Sequence, residues 1–290
     1  MSSETFARWI FSAIIMAASA IAPASAKTAQ QAWDDCISQN PDVVIQGCTD
    51  FIAMDQEAGD VAIAYYNRAL TEEGKNLLDA AFADYTKAIE LNSTFDYALH
   101  NRARIYDQRG DYQAAIADFT KAIAASPIGG HFFNRAHTYM HMGMYRLAAE
   151  DYMKAIDLWP NEVAPYARRC RALAADGENL DAARADCDHA VTAAPHNSMF
   201  LTLRSFAKIK QADFDGAIAD ADAALADSKQ EWGEGEGFGP PEVHPADALY
   251  LKGVAETKLG RTDAGKKDID EAVRQDASVS ATYLKMGVHI

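Results

Sequence analysis

The densest ligand chemistry in the chain lies in HTYMHMGMY, residues 137–145, where two histidines and three methionines fall within nine residues. Imidazole nitrogens and thioether sulfurs are donors for copper and zinc, so the segment is a candidate transition-metal site. His137 and His141 are four residues apart, which on a helix puts both rings on one face with Met140 between them. No third ligand is adjacent in sequence. His100 is the candidate from elsewhere, because a metal site needs three or four convergent donors. The competing reading is packing: two exposed histidines beside a gap-filling Met142. Other chemistry is absent. GRTDAGKK, residues 260–267, matches a phosphate-binding loop in all but its last position, yet Lys267 replaces the hydroxyl that would hold magnesium and no strand precedes it. There is no H-E-x-x-H, no G-x-S-x-G and no recognisable nucleophile arrangement. These absences point away from an enzyme, and no cofactor is expected.

The residues that could act must be positioned by the rest of the chain, which begins with a leader. A weakly basic start (Met1 to Arg8), an apolar run from Trp9 to Ala22 and the small triplet Ala24, Ser25, Ala26 predict a secretory signal peptide cut after Ala26. The run is 14 residues, short of the ~20 needed to cross a bilayer, so no membrane span is expected. A periplasmic location follows as the expectation. The net charge is −15, and removing the leader leaves it unchanged because Glu4 and Arg8 cancel. Such a surface repels phosphate backbones and excludes nucleic acid as a partner. Four cysteines in an exported chain predict two disulfides.

The rest of the sequence repeats. Asn-Arg-Ala recurs at 67–69, 101–103 and 134–136, and Lys-Ala-Ile at 87–89, 121–123 and 154–156, with periods of 34 and then 33 residues. Six units start near Ala62, Asp96, Gly129, Val163, Ser198 and Ala246. Gly110, Gly143, Gly177 and Gly260 stand at the middle of their units as helix stops, with Asn76 and Ala212 in the same place in units one and five, Ala212 being the weakest fit. Pro127, Pro160 and Pro195 close units two to four.

This pattern resembles the tetratricopeptide repeat, a helix-turn-helix unit with a small residue at position 8. Position 8 here is Ala69, Ala103, Ala136, Cys170, Ser205 and Gly253. Small residues return at positions 20 and 27 if unit four carries one extra residue near its turn. The resemblance implies an all-α superhelix of about six hairpins whose first helices line a concave groove, each unit stabilised by its neighbours. The expected organisation is a leader (1–26), a front hairpin (27–60), repeats one to five (61–228), a Gly/Pro-rich insertion (229–245), and repeat six with a capping helix (246–290). The insertion carries Trp232 and Phe238 and is either a cover for the groove or one edge, or a plain linker.

Within the implied repeat, Cys170 and Cys187 take positions 8 and 24 and face each other across one hairpin, and Cys36 with Cys48 closes the front hairpin. Each bridge would contribute ~3 kcal/mol by restricting the unfolded chain. A redox-active pair is the rival, without the Cys-x-x-Cys spacing it usually has. Every unit has a cation at position 7 (Arg68, Arg102, Arg135, Arg169, Arg204, Lys252) and Asp at position 23 (Asp84, Asp118, Asp151, Asp186, Asp220, Asp268), which predicts structural ion pairs between helices. The implied groove carries Asn67, Asn101 and Asn134, amides able to pair with a peptide backbone as some family members do, or simply solvated. Beside them stand Tyr66, His100, Arg104, Phe133, His137, Arg168, Arg171, Phe206 and Tyr250, a set suited to an extended peptide with acidic groups. The expected function is a non-catalytic adaptor for a protein or peptide of the cell envelope. The alternative is a small-ligand or metal-binding protein using His100, His137 and His141.

Overall fold

The computed structural model describes residues 27–54, 56–226 and 244–290. The expected leader and residues 229–243 of the expected insertion lie outside the described residues. The described residues form fifteen helices and no strand. A front hairpin pairs α1 (Ala29–Cys36) with α2 (Pro41–Ile52). Repeat one pairs α3 (Ala58–Gly74) with α4 (Leu78–Leu91), repeat two α5 (Asp96–Gln108) with α6 (Tyr112–Ala125), and repeat three α7 (Gly129–His141) with α8 (Tyr145–Leu158). Repeat four pairs α9 (Val163–Asp176) with α10 (Leu180–Ala193), repeat five α11 (Ser198–Lys210) with α12 (Phe214–Ala226), and repeat six α13 (Pro245–Lys258) with α14 (Thr262–Gln275). A short α15 (Val279–Lys285) follows.

The hairpins close where the sequence provides small residues. Ala69, Ala103, Ala136, Cys170 and Ser205 are fully buried at the crossing of their two helices. In repeat six both crossing residues are glycine, and a Cβ on Gly253 would stand 2.6 Å from the Gly265 carbonyl oxygen. All six turns place one residue in the left-handed region: Gly110, Gly143, Gly177 and Gly260 with φ from 70° to 82°, Asn76 at 60° and Ala212 at 61°. For Ala212 that conformation costs about 1–2 kcal/mol, so the hairpin overrides a residue poorly suited to its turn. The extra residue of repeat four sits in its turn, where Glu178 and Asn179 separate Gly177 from α10 and Asn179 accepts from the Ala182 N–H.

Both disulfides form as paired, Cys36–Cys48 and Cys170–Cys187, with Cα–Cα separations of 4.4 Å and 5.5 Å. The second stands where repeats one to three bury Tyr85, Phe119 and Tyr152.

The expected ion pairs also form, and they do more than join two helices. In five repeats the arginine grips its aspartate with two parallel bonds, from Nε at 2.5–2.8 Å and from Nη2 at 2.7–3.0 Å. Lys252 holds Asp268 at 3.3 Å. The arginine-bound carboxylates are only 4–7% exposed, and their charge is tolerated there because it is paired and hydrogen-bonded. Several of these cations also reach the preceding hairpin: Arg68 to Thr49, Arg102 to Thr86, Arg135 to Thr120, Arg204 to Asp188 and Lys252 to Asp222. One side chain thus closes its own hairpin and fixes it to the one before.

Candidate functional site

The first helix of each repeat presents residues spaced three, four and seven apart on one face, and these build the inner wall. In repeats one and two the wall is partly open. Ile63 and Leu70 of α3 are 39% and 41% exposed, and Tyr97 of α5 is 51% exposed. The Tyr66 ring lies 4.9 Å from Phe95 and 6.5 Å from Tyr97, joining the two helices. Arg104 is 45% exposed and pairs with Glu73 across the same boundary at 3.1 Å.

The three asparagines do not make equal rungs. Asn67 is half-buried. Asn101 is buried, and its amide donates to the Tyr85 hydroxyl at 3.2 Å, which in turn donates to Glu73 at 2.8 Å. Asn134 donates to the Gly130 carbonyl of its own helix at 2.9 Å. The difference has a physical origin. Tyr85 buries a hydroxyl that accepts from Asn101 of the next repeat, whereas Phe119 in the same place of repeat two offers Asn134 no hydroxyl.

His100 is also committed. Its Nδ1 lies 2.8 Å from Nδ1 of His131, so one ring donates and the other accepts, and its edge packs on Phe119. Burial, reinforced by His131 and the Arg104 charge, brings its pKa down to about 3. Asp96 approaches the far nitrogen of His131 at 3.5 Å. The sequence-derived metal set therefore does not assemble with His100. His137 and His141 converge instead on Asp107, with Nδ1 to carboxylate distances of 3.7 Å and 3.3 Å. Asp107 and His131 escaped sequence reading because each meets its partner on the first helix of the adjacent repeat, and no pattern within one repeat marks that meeting.

Farther along, several of the expected groove residues are buried. Phe133 is 2% exposed, packs edge-on against Tyr152, and lines a cavity of about 250 Å³ with Trp159 and Pro165. Arg168 is buried, and Arg171 lines a larger cavity of about 630 Å³. Phe206 and Tyr250, expected to face an open groove, are buried by α15: Tyr283 stacks on Tyr250 at 5.6 Å and meets Phe206 edge-on at 5.5 Å. The Lys210 ammonium donates to the Met286 carbonyl at 3.0 Å, and Met286 and Val288 are buried. The expected cap thus lies on the inner wall of repeats five and six as well as against the last hairpin. Burial of two large aromatic rings is the physical reason.

The fold and its wall define an α-solenoid of stacked helical hairpins. Tetratricopeptide-repeat models match residues 62–95, 84–117, 132–162 and 246–278, and the chain belongs to the tetratricopeptide-repeat family. Residues 163–226, between those matches, fold into the same hairpins. No curated protein matches the chain. Among solved structures it is similar to YrrB, described as a tetratricopeptide-repeat protein with an unusual peptide-binding site (22% identity over 64% of this chain and 95% of that one, TM-score 0.57). It also resembles a tetratricopeptide-repeat protein from Parabacteroides merdae (14% identity, 89% and 96% coverage, TM-score 0.59). A third is PilW, described as a type IV pilus biogenesis factor (15% identity, 77% and 96% coverage, TM-score 0.59). At these identities the likeness is one of fold. Repeats of this family mediate protein–protein interaction. Among the described residues no helix is long and apolar enough to cross a membrane.

Proposed function

We propose that the protein is a non-catalytic periplasmic adaptor that binds an extended segment of a cell-envelope protein along the inner wall of repeats one to three. One observation carries this reading. Ile63, Leu70 and Tyr97 expose apolar surface on the helices α3 and α5 that also carry the half-exposed Arg104, while the same wall at repeats five and six is sealed by the chain itself. Apolar contact supplies affinity for an extended segment, and Arg104 offers a charge-assisted bond to a carboxylate on it. The leader pattern and the two disulfides support export, since disulfides persist in oxidising compartments. The descriptions of YrrB and PilW support a peptide-binding role in an envelope assembly.

The test captures partners from an envelope extract with the mature, disulfide-bonded protein and then measures each partner's affinity for variants. Leu70→Asp and Tyr97→Ala weaken binding. Leu147→Asp, on the second helix α8 and equally exposed at 41%, leaves it unchanged. Circular dichroism verifies that all three variants are folded. Equal affinity for all three removes the inner wall from the interaction.

A further inference from the structure

Asp107, His137 and His141 bring one donor atom each within 4.8 Å of the others. The three come from two repeats: Asp107 sits near the end of α5, and the histidines are one turn apart on α7. Metal–ligand distances of about 2.0–2.2 Å in a tetrahedral site put neighbouring donors about 3.4 Å apart. The two imidazole-to-carboxylate distances, 3.3 Å and 3.7 Å, bracket that value without any movement of the helices. The side chains are neither buried out of reach nor free in solvent: Asp107 is 14% exposed, His137 21% and His141 37%.

We propose that Asp107, His137 and His141 bind a divalent transition-metal ion of the zinc class, joining repeats two and three across the inner wall. Each neutral imidazole moves its proton to Nε2 and turns the freed Nδ1 lone pair to the ion, while the ionised carboxylate supplies the third donor. Two imidazoles with one carboxylate select zinc, copper(II), nickel or cobalt over calcium and magnesium, which take oxygen ligands. Three protein donors leave a fourth position open. His141 also borders the cavity of about 630 Å³, lined by Met140, Arg171, Lys285 and Met286. An exchangeable ligand on the ion would reach solvent through that cavity, and its two cationic side chains favour an anionic one. This inference stands apart from the adaptor reading, because it needs no partner protein.

The experiment uses untagged mature protein stripped with a chelator and titrated with zinc chloride by calorimetry. Cobalt(II) absorption serves as the spectroscopic readout of coordination geometry. The wild type binds one ion per chain, gains thermal stability on binding, and shows the intense visible bands of low-coordinate cobalt(II). His137→Ala, His141→Ala and Asp107→Asn each weaken binding by at least about tenfold and lose those bands. His100→Gln keeps both affinity and spectrum, and magnesium chloride gives no heat of specific binding. Unchanged zinc affinity in any of the three ligand variants overturns the proposal, as does loss of binding in His100→Gln. Circular dichroism of the zinc-free variants separates loss of a ligand from loss of the fold.

Discussion

The His100–His131 pair makes the stability of the inner wall depend on pH, and the perturbation that reads it is His100→Gln. In the folded protein His100 titrates near 3, against an ordinary value of 6.5. Between those values the unfolded chain takes up a proton that the folded chain refuses. The stabilisation is therefore complete above pH 6.5 and falls as the pH drops from 6.5 toward 3. From pH 7.5 to pH 5.5 the loss from this one group is about 1.4 kcal/mol, since one pH unit below the unfolded pKa corresponds to about 1.36 kcal/mol. His131 is lowered by burial too, with Asp96 partly opposing, and adds a loss of the same sign. Glutamine keeps a polar group beside His131 and carries no proton to gain. Urea unfolding followed by helical circular dichroism at pH 7.5 and 5.5 measures the effect, with the carboxylates contributing a background common to both proteins. The wild type should lose about 1.4 kcal/mol more than His100→Gln over that interval. Equal losses would refute the reasoning, showing that the pair is solvated enough to accept a proton freely.

Two further outcomes follow from the hairpin architecture. Ala212→Gly relieves a left-handed alanine at φ 61° and raises stability by about 0.5–1 kcal/mol after the extra flexibility of the unfolded chain is deducted; a lower urea midpoint would contradict this. Arg102→Leu removes the two-bond partner of the 4%-exposed Asp118 and costs about 3–5 kcal/mol, whereas Thr86→Ala leaves that pair intact, removes the bond from Arg102 together with the Thr86 hydroxyl's own bond to the Phe82 carbonyl and costs about 1 kcal/mol, both read from urea midpoints, where equal small losses would show the pairs to be solvated.

Much of the fold was legible because each hairpin is a local object. A period near 34 residues, small residues at the helix crossings, and glycine or asparagine at the turns follow from how two helices meet, whatever lies elsewhere in the chain. The pairing of Cys170 with Cys187, and of Arg102 with Asp118, was legible for the same reason: partners 16 or 17 residues apart belong to one hairpin. Even Ala212 was visible as the least suited turn residue, and it adopts the required conformation because its neighbours over-determine it.

The sequence by itself therefore determined the repeat, the hairpins and their staples, since a solenoid is built from contacts between neighbouring units. Only the tertiary structure decided which parts of the inner wall stay open. The superhelix brings Met286 to Lys210, 76 residues away, and lays Tyr283 over Phe206 and Tyr250, closing one end of the groove with the chain's own C-terminal segment. It takes His100 to His131 and delivers Asp107 to the two histidines of the next repeat. Those meetings depend on how each hairpin is rotated against the next, an angle fixed by packing between repeats and carried by no pattern within one.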